Sequence, residues 1–133
     1  MYIVLDFDGT CVQNEFPYVG ESIGAEQVLV DLVSNGHDLI LFTARGDGHL
    51  EDAIQWFSDH SLPLSGIQQH PEQKAITSST KPVGDIIIDD KMLGAVLVDG
   101  RYVNWDWAAK QLLQLEYITE AQYAEYDFSL YVF

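Results

Sequence analysis

The stretch MYIVLDFDGT, residues 1–10, is the strongest indication of the fold, because two carboxylates follow a short apolar run within it. Residues 2–5 are wholly apolar and β-prone, which is typical of a strand buried on both faces. The run stops at Asp6, and Gly9 lets the chain turn sharply after the second carboxylate. An acidic turn is one interpretation of such residues. We favour a functional site, because paired carboxylates placed directly after a buried strand are costly unless a cation compensates them.

The alternation of apolar runs and helical stripes continues along the chain. Further β-prone runs lie at residues 39–42, 64–67, 85–89 and 95–98, of which the run at 64–67 is the weakest. Apolar residues at helical spacing fill the intervals at residues 25–33, 50–57 and 105–115, and Asn104 is the predicted cap of the last helix. Strands that alternate with helices predict βαβ units, a mostly parallel sheet and an α/β fold.

Polar residues follow three of the predicted strands, where α/β sheets bind their ligands. Asp89 and Asp90 come after three isoleucines, and parallel strands should bring them near Asp6 and Asp8. So many carboxylates cannot all ionise together without a counter-charge. Hard oxygen ligands of this kind suit Mg²⁺, whereas Ca²⁺ is disfavoured because the sequence has no EF-hand ligand pattern.

Composition and charge exclude several classes of protein. The length of 133 residues predicts a single domain over residues 1–133. Six Lys and Arg against 21 Asp and Glu give a net charge of −15, which argues against broad nucleic-acid binding and against anionic membranes. Cys11 is the only cysteine, so an internal disulfide is excluded and a reducing compartment is favoured. Neither a signal peptide nor a membrane span is recognisable, and we expect a cytoplasmic protein.

The order of the motifs resembles the haloacid dehalogenase superfamily, whose members are mostly phosphohydrolases. Asp-x-Asp-Gly-Thr follows the first strand, Thr43 follows the second, and Lys81 precedes the strand that ends in Asp89-Asp90. The resemblance reaches from residue 1 to about residue 115. It is nearest to small capless members, through residues 14–20, residues 71–73 together with 79–81, and residues 87–90. It implies a Rossmann-like three-layer sandwich with a mostly parallel central sheet.

No cap domain fits into this chain. The interval from Asp8 to Thr43 and the interval from Thr43 to Lys81 are each filled by one loop, one helix and one strand. We therefore expect an open crevice, unless a partner subunit or the loop at residues 11–20 covers it. Such a crevice accepts a phosphorylated small molecule or a phosphate borne by a macromolecule.

The resemblance also implies a Mg²⁺-dependent phosphomonoester hydrolase that works through an aspartyl-phosphate. Asp6 would be the nucleophile. Asp8 would protonate the leaving oxygen and then activate the hydrolytic water. A carboxylate that attacks a phosphate dianion needs a metal and a cation to offset the repulsion. By the resemblance, Thr43 would hydrogen-bond the transferred phosphoryl group and Lys81 would neutralise the nucleophile and the phosphate, so both count as catalytic and as substrate-binding. Ala44 and Arg45, which follow Thr43, are further candidates for substrate binding, and Arg45 is equally suited to pair with local acids.

By the same resemblance, Mg²⁺ would be held by Asp6, the backbone carbonyl of Asp8, Asp89 and Asp90. Lys74 competes with Lys81 for the lysine role, and we prefer Lys81 because the Lys-Pro before the strand matches the family spacing.

Other functions remain open at the level of sequence. The alternative is a catalytically idle module of this superfamily that binds a metal or phosphate and acts by protein contact. A receiver domain is disfavoured, because its acceptor should follow the third strand. Residues 116–133 form an acidic, aromatic extension without Lys or Arg. We expect it to pack on its own chain, although an oligomer formed through this tail is also compatible with the sequence.

Overall fold

A parallel sheet of four strands lies at the centre of the computed structural model, which describes residues 1–131. The strands are β1 (Tyr2–Leu5), β2 (Asp38–Leu41), β3 (Leu64–Ile67) and β4 (Ile86–Ile88), in the order β3-β2-β1-β4. They are connected by the helices α1 (Ala25–Ser34), α2 (Leu50–Asp59) and α3 (Gln73–Ile76). The predicted Rossmann-like three-layer α/β fold is therefore confirmed.

The chain after β4 folds as a hairpin and two helices. Strands β5 (Leu97–Val98) and β6 (Tyr102–Val103) pair antiparallel with each other, and α4 (Trp105–Gln114) and α5 (Glu120–Ala124) follow. The strand predicted over residues 95–98 is thus shorter than expected and lies outside the central sheet. The reason is the turn at Asp99 and Gly100, whose positive φ angles of 52° and 66° reverse the chain at once. Asn104 caps α4 as predicted, accepting a hydrogen bond from the Trp107 amide.

The two faces of the sheet are covered in different ways. Ile3 and Leu5 of β1 pack in one hydrophobic core with side chains of α1, α2 and α4. Val4 points to the opposite face and is equally buried. Residues 68–84, which contain only the short α3, cover that face so closely that a Cβ at Gly84 would lie 2.6 Å from Val4 Cγ2.

The aromatic tail packs on its own chain. Tyr117, Tyr123, Tyr126 and Phe128 lie against the hydrophobic core, as expected. Helix α5 begins at a capping box that Thr119 forms with Gln122. Phe133, which belongs to the same aromatic set, lies outside the described residues. No helix within residues 1–131 is both long enough and apolar enough to cross a membrane.

Candidate functional site

The carboxyl ends of β1, β2 and β4 meet at one edge of the sheet. Leu5 is in register with Leu41 on one side and with Ile88 on the other, so the residues that follow these strands are neighbours. Backbone hydrogen bonds extend the alignment by one residue, because the Asp6 amide donates to the Ile88 carbonyl at 3.1 Å. A cavity of about 770 Å³ opens there, lined by Asp6, Asp8, Asn14, Phe16, Phe42, Thr43, Ala44, Arg45, Asp89, Asp90 and Lys91.

Three of the predicted metal ligands form a compact cluster. Asp6, Asp89 and Asp90 each offer a carboxylate oxygen, and these oxygens all lie within 4.8 Å of one another. Gly9 makes this approach possible, because a Cβ at its position would collide with Asp90 Oδ2. Gly9 also adopts a φ of +79°, which glycine tolerates without strain. The Asp8 side chain is not part of the cluster.

The buried side chain of Thr10 connects two members of the cluster by hydrogen bonds. Its hydroxyl donates to Asp6 Oδ2 at 3.0 Å and accepts from the Asp90 amide at 3.0 Å. The Thr10 carbonyl in turn accepts a hydrogen bond of 2.7 Å from the indole of Trp105 in α4. The last residue of the Asp-x-Asp-Gly-Thr motif thus ties the loops after β1 and β4 to the helical layer. Nothing in the sequence alone marks Thr10 for this role.

The electrostatics of the cluster call for a positive charge. Burial, a hydrogen bond with Asp90 and the charge of Asp89 raise the pKa of Asp6 from 3.8 to about 7, although the Thr10 hydroxyl opposes the rise. A divalent cation bound here would favour the charged form of Asp6, because it offsets the repulsion among the carboxylates and prefers oxygen ligands. The residues present therefore fit Mg²⁺.

Asp8 forms a bidentate ion pair with Arg45. Arg45 Nε donates to Asp8 Oδ2 and Nη2 donates to Oδ1, each at 2.8 Å. The other donors of the guanidinium bind backbone carbonyls: Nη1 reaches Pro17 and His49 at 3.3 Å, and Nη2 reaches Tyr18 at 2.7 Å. All five N–H groups of the guanidinium are therefore used within the protein.

Two phenyl rings enclose the Arg45 guanidinium. Its Cζ lies 5.1 Å from the centroid of the Phe7 ring and 5.2 Å from that of Phe16, and only 2% of Arg45 is exposed. The role predicted for Arg45 as a direct phosphate ligand does not agree with this geometry, because no donor is left for a phosphate. Arg45 instead orients Asp8 and anchors the loop around Pro17.

Thr43 is held in place by Gln68, for which the sequence predicts no role. The Gln68 side chain accepts from the Thr43 amide at 2.8 Å and donates to the Thr43 carbonyl at 2.7 Å. The Thr43 hydroxyl accepts from the Arg45 amide at 3.1 Å, so its own proton is available to an acceptor in the cavity. The only signal for Gln68 in the sequence is its position directly after the strand at residues 64–67.

The lysine next to the cluster is Lys91, not Lys81. Lys91 lines the cavity, and its Nζ lies 3.7 Å from Asp90 Oδ2. Lys81 is exposed and does not line the cavity, and Lys74 lines a neighbouring one. The backbone of Lys81 is held by Ser79 and Gln73 in the segment that leads to the amino end of β4, whereas the cavity lies at the carboxyl ends of the strands. The signal for Lys91 in the sequence is that it follows the acidic pair directly.

Comparison with known proteins adds one relative. No protein-family model and no curated protein matches the sequence. The solved structure of a conserved protein from Bacteroides thetaiotaomicron is similar, with a TM-score of 0.69 and 30% sequence identity. The similarity covers 92% of this chain and 95% of that one.

Proposed function

This chain belongs to the same family as the conserved protein of Bacteroides thetaiotaomicron, and from the site that it carries we propose that it is a Mg²⁺-dependent phosphomonoester hydrolase of the haloacid dehalogenase type. One observation carries the proposal. The side chains of Asp6, Asp89 and Asp90 meet at the strand ends, while Asp8 and Thr43 line the same cavity. This combination offers a cation site, a nucleophile, a group that transfers protons and a hydrogen-bond donor for the phosphate within one crevice.

In the first half of the reaction, an oxygen of Asp6 bonds to phosphorus while the bond between phosphorus and the ester oxygen breaks. Asp8 gives its proton to the departing ester oxygen. In the second half, Asp8 takes a proton from a water that attacks phosphorus. The aspartyl-phosphate bond then breaks, which releases inorganic phosphate and restores Asp6. One carboxyl group can serve both halves because it is left deprotonated by the first and reprotonated by the second.

The surrounding residues support these roles. Arg45 fixes the Asp8 carboxylate, and each carboxylate oxygen keeps a second lone pair for the transferred proton. The Thr43 hydroxyl donates to a phosphoryl oxygen, and Lys91 adds a positive charge near the cluster. Mg²⁺ bound by Asp6, Asp89 and Asp90 would offset the negative charge of the nucleophile and of the phosphate.

The test is a phosphatase screen with wild-type protein and Asp6→Asn, each with Mg²⁺ and with EDTA. We expect phosphate release only from the wild type with Mg²⁺. Asp59→Asn is a matched control, because Asp59 is an exposed acid at the end of α2, far along the chain from the motif. Its activity should equal that of the wild type. If no substrate is hydrolysed in a manner that depends on both Mg²⁺ and Asp6, the chain is better described as a metal- or phosphate-binding module.

A further inference from the structure

We propose that the leaving group of the substrate carries a flat, unsaturated ring, which stacks on Phe16 at the mouth of the catalytic cavity. The inference rests on the proposed function and names its substrate class. Asp8 is the group that protonates the ester oxygen, so this oxygen must lie within hydrogen-bonding distance of Asp8. The leaving group therefore leaves the cavity past Asp8.

Phe16 is the aromatic surface next to Asp8. The Arg45 guanidinium, which holds both Asp8 oxygens at 2.8 Å, stacks on Phe16 with 5.2 Å between Cζ and the ring centroid. The Asp8 carboxylate and the Phe16 ring therefore contact the same planar group. A leaving group that starts at Asp8 meets the Phe16 ring within a few atoms.

The Phe16 ring is exposed and yet fixed in position. The Phe16 residue is 54% exposed, and the ring lines the cavity. The Arg45 guanidinium supports the ring, and the His49 ring contacts it edge to face at a centroid distance of 5.2 Å. The Phe16 amide donates to Asn14 Oδ1, and the Pro17 carbonyl accepts from Arg45. An exposed aromatic side chain that already packs on neighbouring groups is preorganised for stacking on a ligand, because little conformational entropy is lost on binding.

The rest of the cavity favours an uncharged ring. Phe42, which is 41% exposed, provides a second phenyl group in the lining. The acids that line the cavity belong to the cluster or pair with Arg45. Of the other lining residues, Asn14, Thr43 and Ala44 are neutral, and the positive charge of Lys91 lies at the cluster, 3.7 Å from Asp90 Oδ2. A ring with an additional phosphate or carboxylate would meet mainly negative charge in this region, since the chain as a whole carries −15.

The experiment compares benzyl phosphate with cyclohexylmethyl phosphate. The two esters have the same charge, similar size and leaving groups of similar acidity, and they differ in whether the ring is flat. We expect the wild type with Mg²⁺ to prefer benzyl phosphate by about 3- to 10-fold in kcat/KM, the range that aromatic stacking provides. Phe16→Leu, which keeps an apolar side chain without a ring, should bring the ratio close to one.

Two further variants separate stacking from a general disturbance of the loop. Phe42→Leu should reduce the preference, and it tests the proposal independently if Phe16→Leu does not fold. Tyr18→Leu changes an aromatic side chain of the same loop that is 76% exposed and does not line the cavity, so the preference should persist. A second pair, uridine 5′-monophosphate against ribose 5-phosphate, shows whether the ring is a nucleobase or lies closer to the ester oxygen.

The outcomes distinguish this inference from the proposed function. Hydrolysis of both esters that depends on Mg²⁺ and Asp6, with a ratio near one for both substrate pairs, overturns the inference and leaves the function standing. A preference that is unchanged in folded Phe16→Leu or, if that variant does not fold, in Phe42→Leu also overturns it. The absence of hydrolysis for all four substrates overturns the function and the inference together.

Discussion

Replacing Asp6 with Asn is expected to stabilise the metal-free protein at pH 8, although it removes the proposed nucleophile. Burial and the neighbouring acids raise the pKa of Asp6 from 3.8 to about 7. At about 1.4 kcal/mol per pKa unit, the charged carboxylate costs the folded state at most about 4 kcal/mol. Asp6 keeps some contact with water, which screens the charge, so we expect a gain of about 1–2 kcal/mol in the free energy of unfolding.

The sign of the pH dependence follows from the raised pKa. Between about pH 4 and pH 7 the folded protein binds more protons at Asp6 than the unfolded chain does, so the stability of the wild type falls as the pH rises. The cost is absent when both states are protonated and complete above the folded pKa. The advantage of Asp6→Asn should therefore grow from pH 5 to pH 8 and then level off.

Urea denaturation in EDTA at pH 5, 6, 7 and 8 measures this difference. Asp8→Asn provides a matched control with the opposite sign. It leaves the buried Arg45 guanidinium without its carboxylate, which should cost about 2–4 kcal/mol. If Asp6→Asn is destabilising at pH 8, or if its effect does not change with pH, burial and the neighbouring carboxylates do not disfavour the charge of Asp6 as the geometry implies.

Three further predictions concern the lysines, the metal and the tail. Lys91→Ala should lower kcat/KM about tenfold, whereas Lys81→Ala should stay within about twofold of the wild type, because only Lys91 lines the cavity; the reverse order in steady-state kinetics would return the role to Lys81. Mg²⁺ at about tenfold above its dissociation constant should stabilise the wild type by about 1.4 kcal/mol in thermal unfolding and should stabilise Asp89→Asn much less. A chain that ends at residue 116 should lose about 3 kcal/mol or more of its free energy of unfolding, because Tyr123, Tyr126 and Phe128 no longer cover the core. Unchanged stability together with loss of a dimer in size-exclusion chromatography would instead show that the tail forms an interface between chains.

The sheet could be predicted because its strands carry strong local signals. Residues 2–5 and the isoleucines of β4 are apolar without interruption, and acids or polar residues end each run, so the position and the end of each strand are visible in the sequence. The rule that ligands bind at the carboxyl ends of parallel strands then brought Asp6 and Asp89 together correctly. The run at residues 95–98 contributes only β5 and stays outside this sheet, because the turn at Asp99 and Gly100 directly after it pairs it with β6.

The details of the site could not be predicted because they depend on contacts between distant residues. Gln68 has no local feature that marks it as a partner of Thr43, and the pairing exists only because β2 and β3 are neighbours. Arg45 was expected either to touch the substrate or to pair with acids nearby in the sequence. The structure pairs it directly with Asp8, 37 positions away, and also with the backbone of the loop that carries Pro17. Side-chain geometry of this kind emerges only from the folded backbone.

The outer edge of β4 has a consequence for solubility. Among residues 1–131 no strand pairs with that edge, which leaves backbone groups free to pair with another molecule. The strand has only three residues, and Asp85 and Asp89 stand at its two ends. A short edge flanked by like charges discourages the addition of a foreign strand. Asp85 and Asp89 therefore lower the tendency of the isoleucine-rich edge to aggregate. This effect would weaken at a pH low enough to neutralise the two carboxylates.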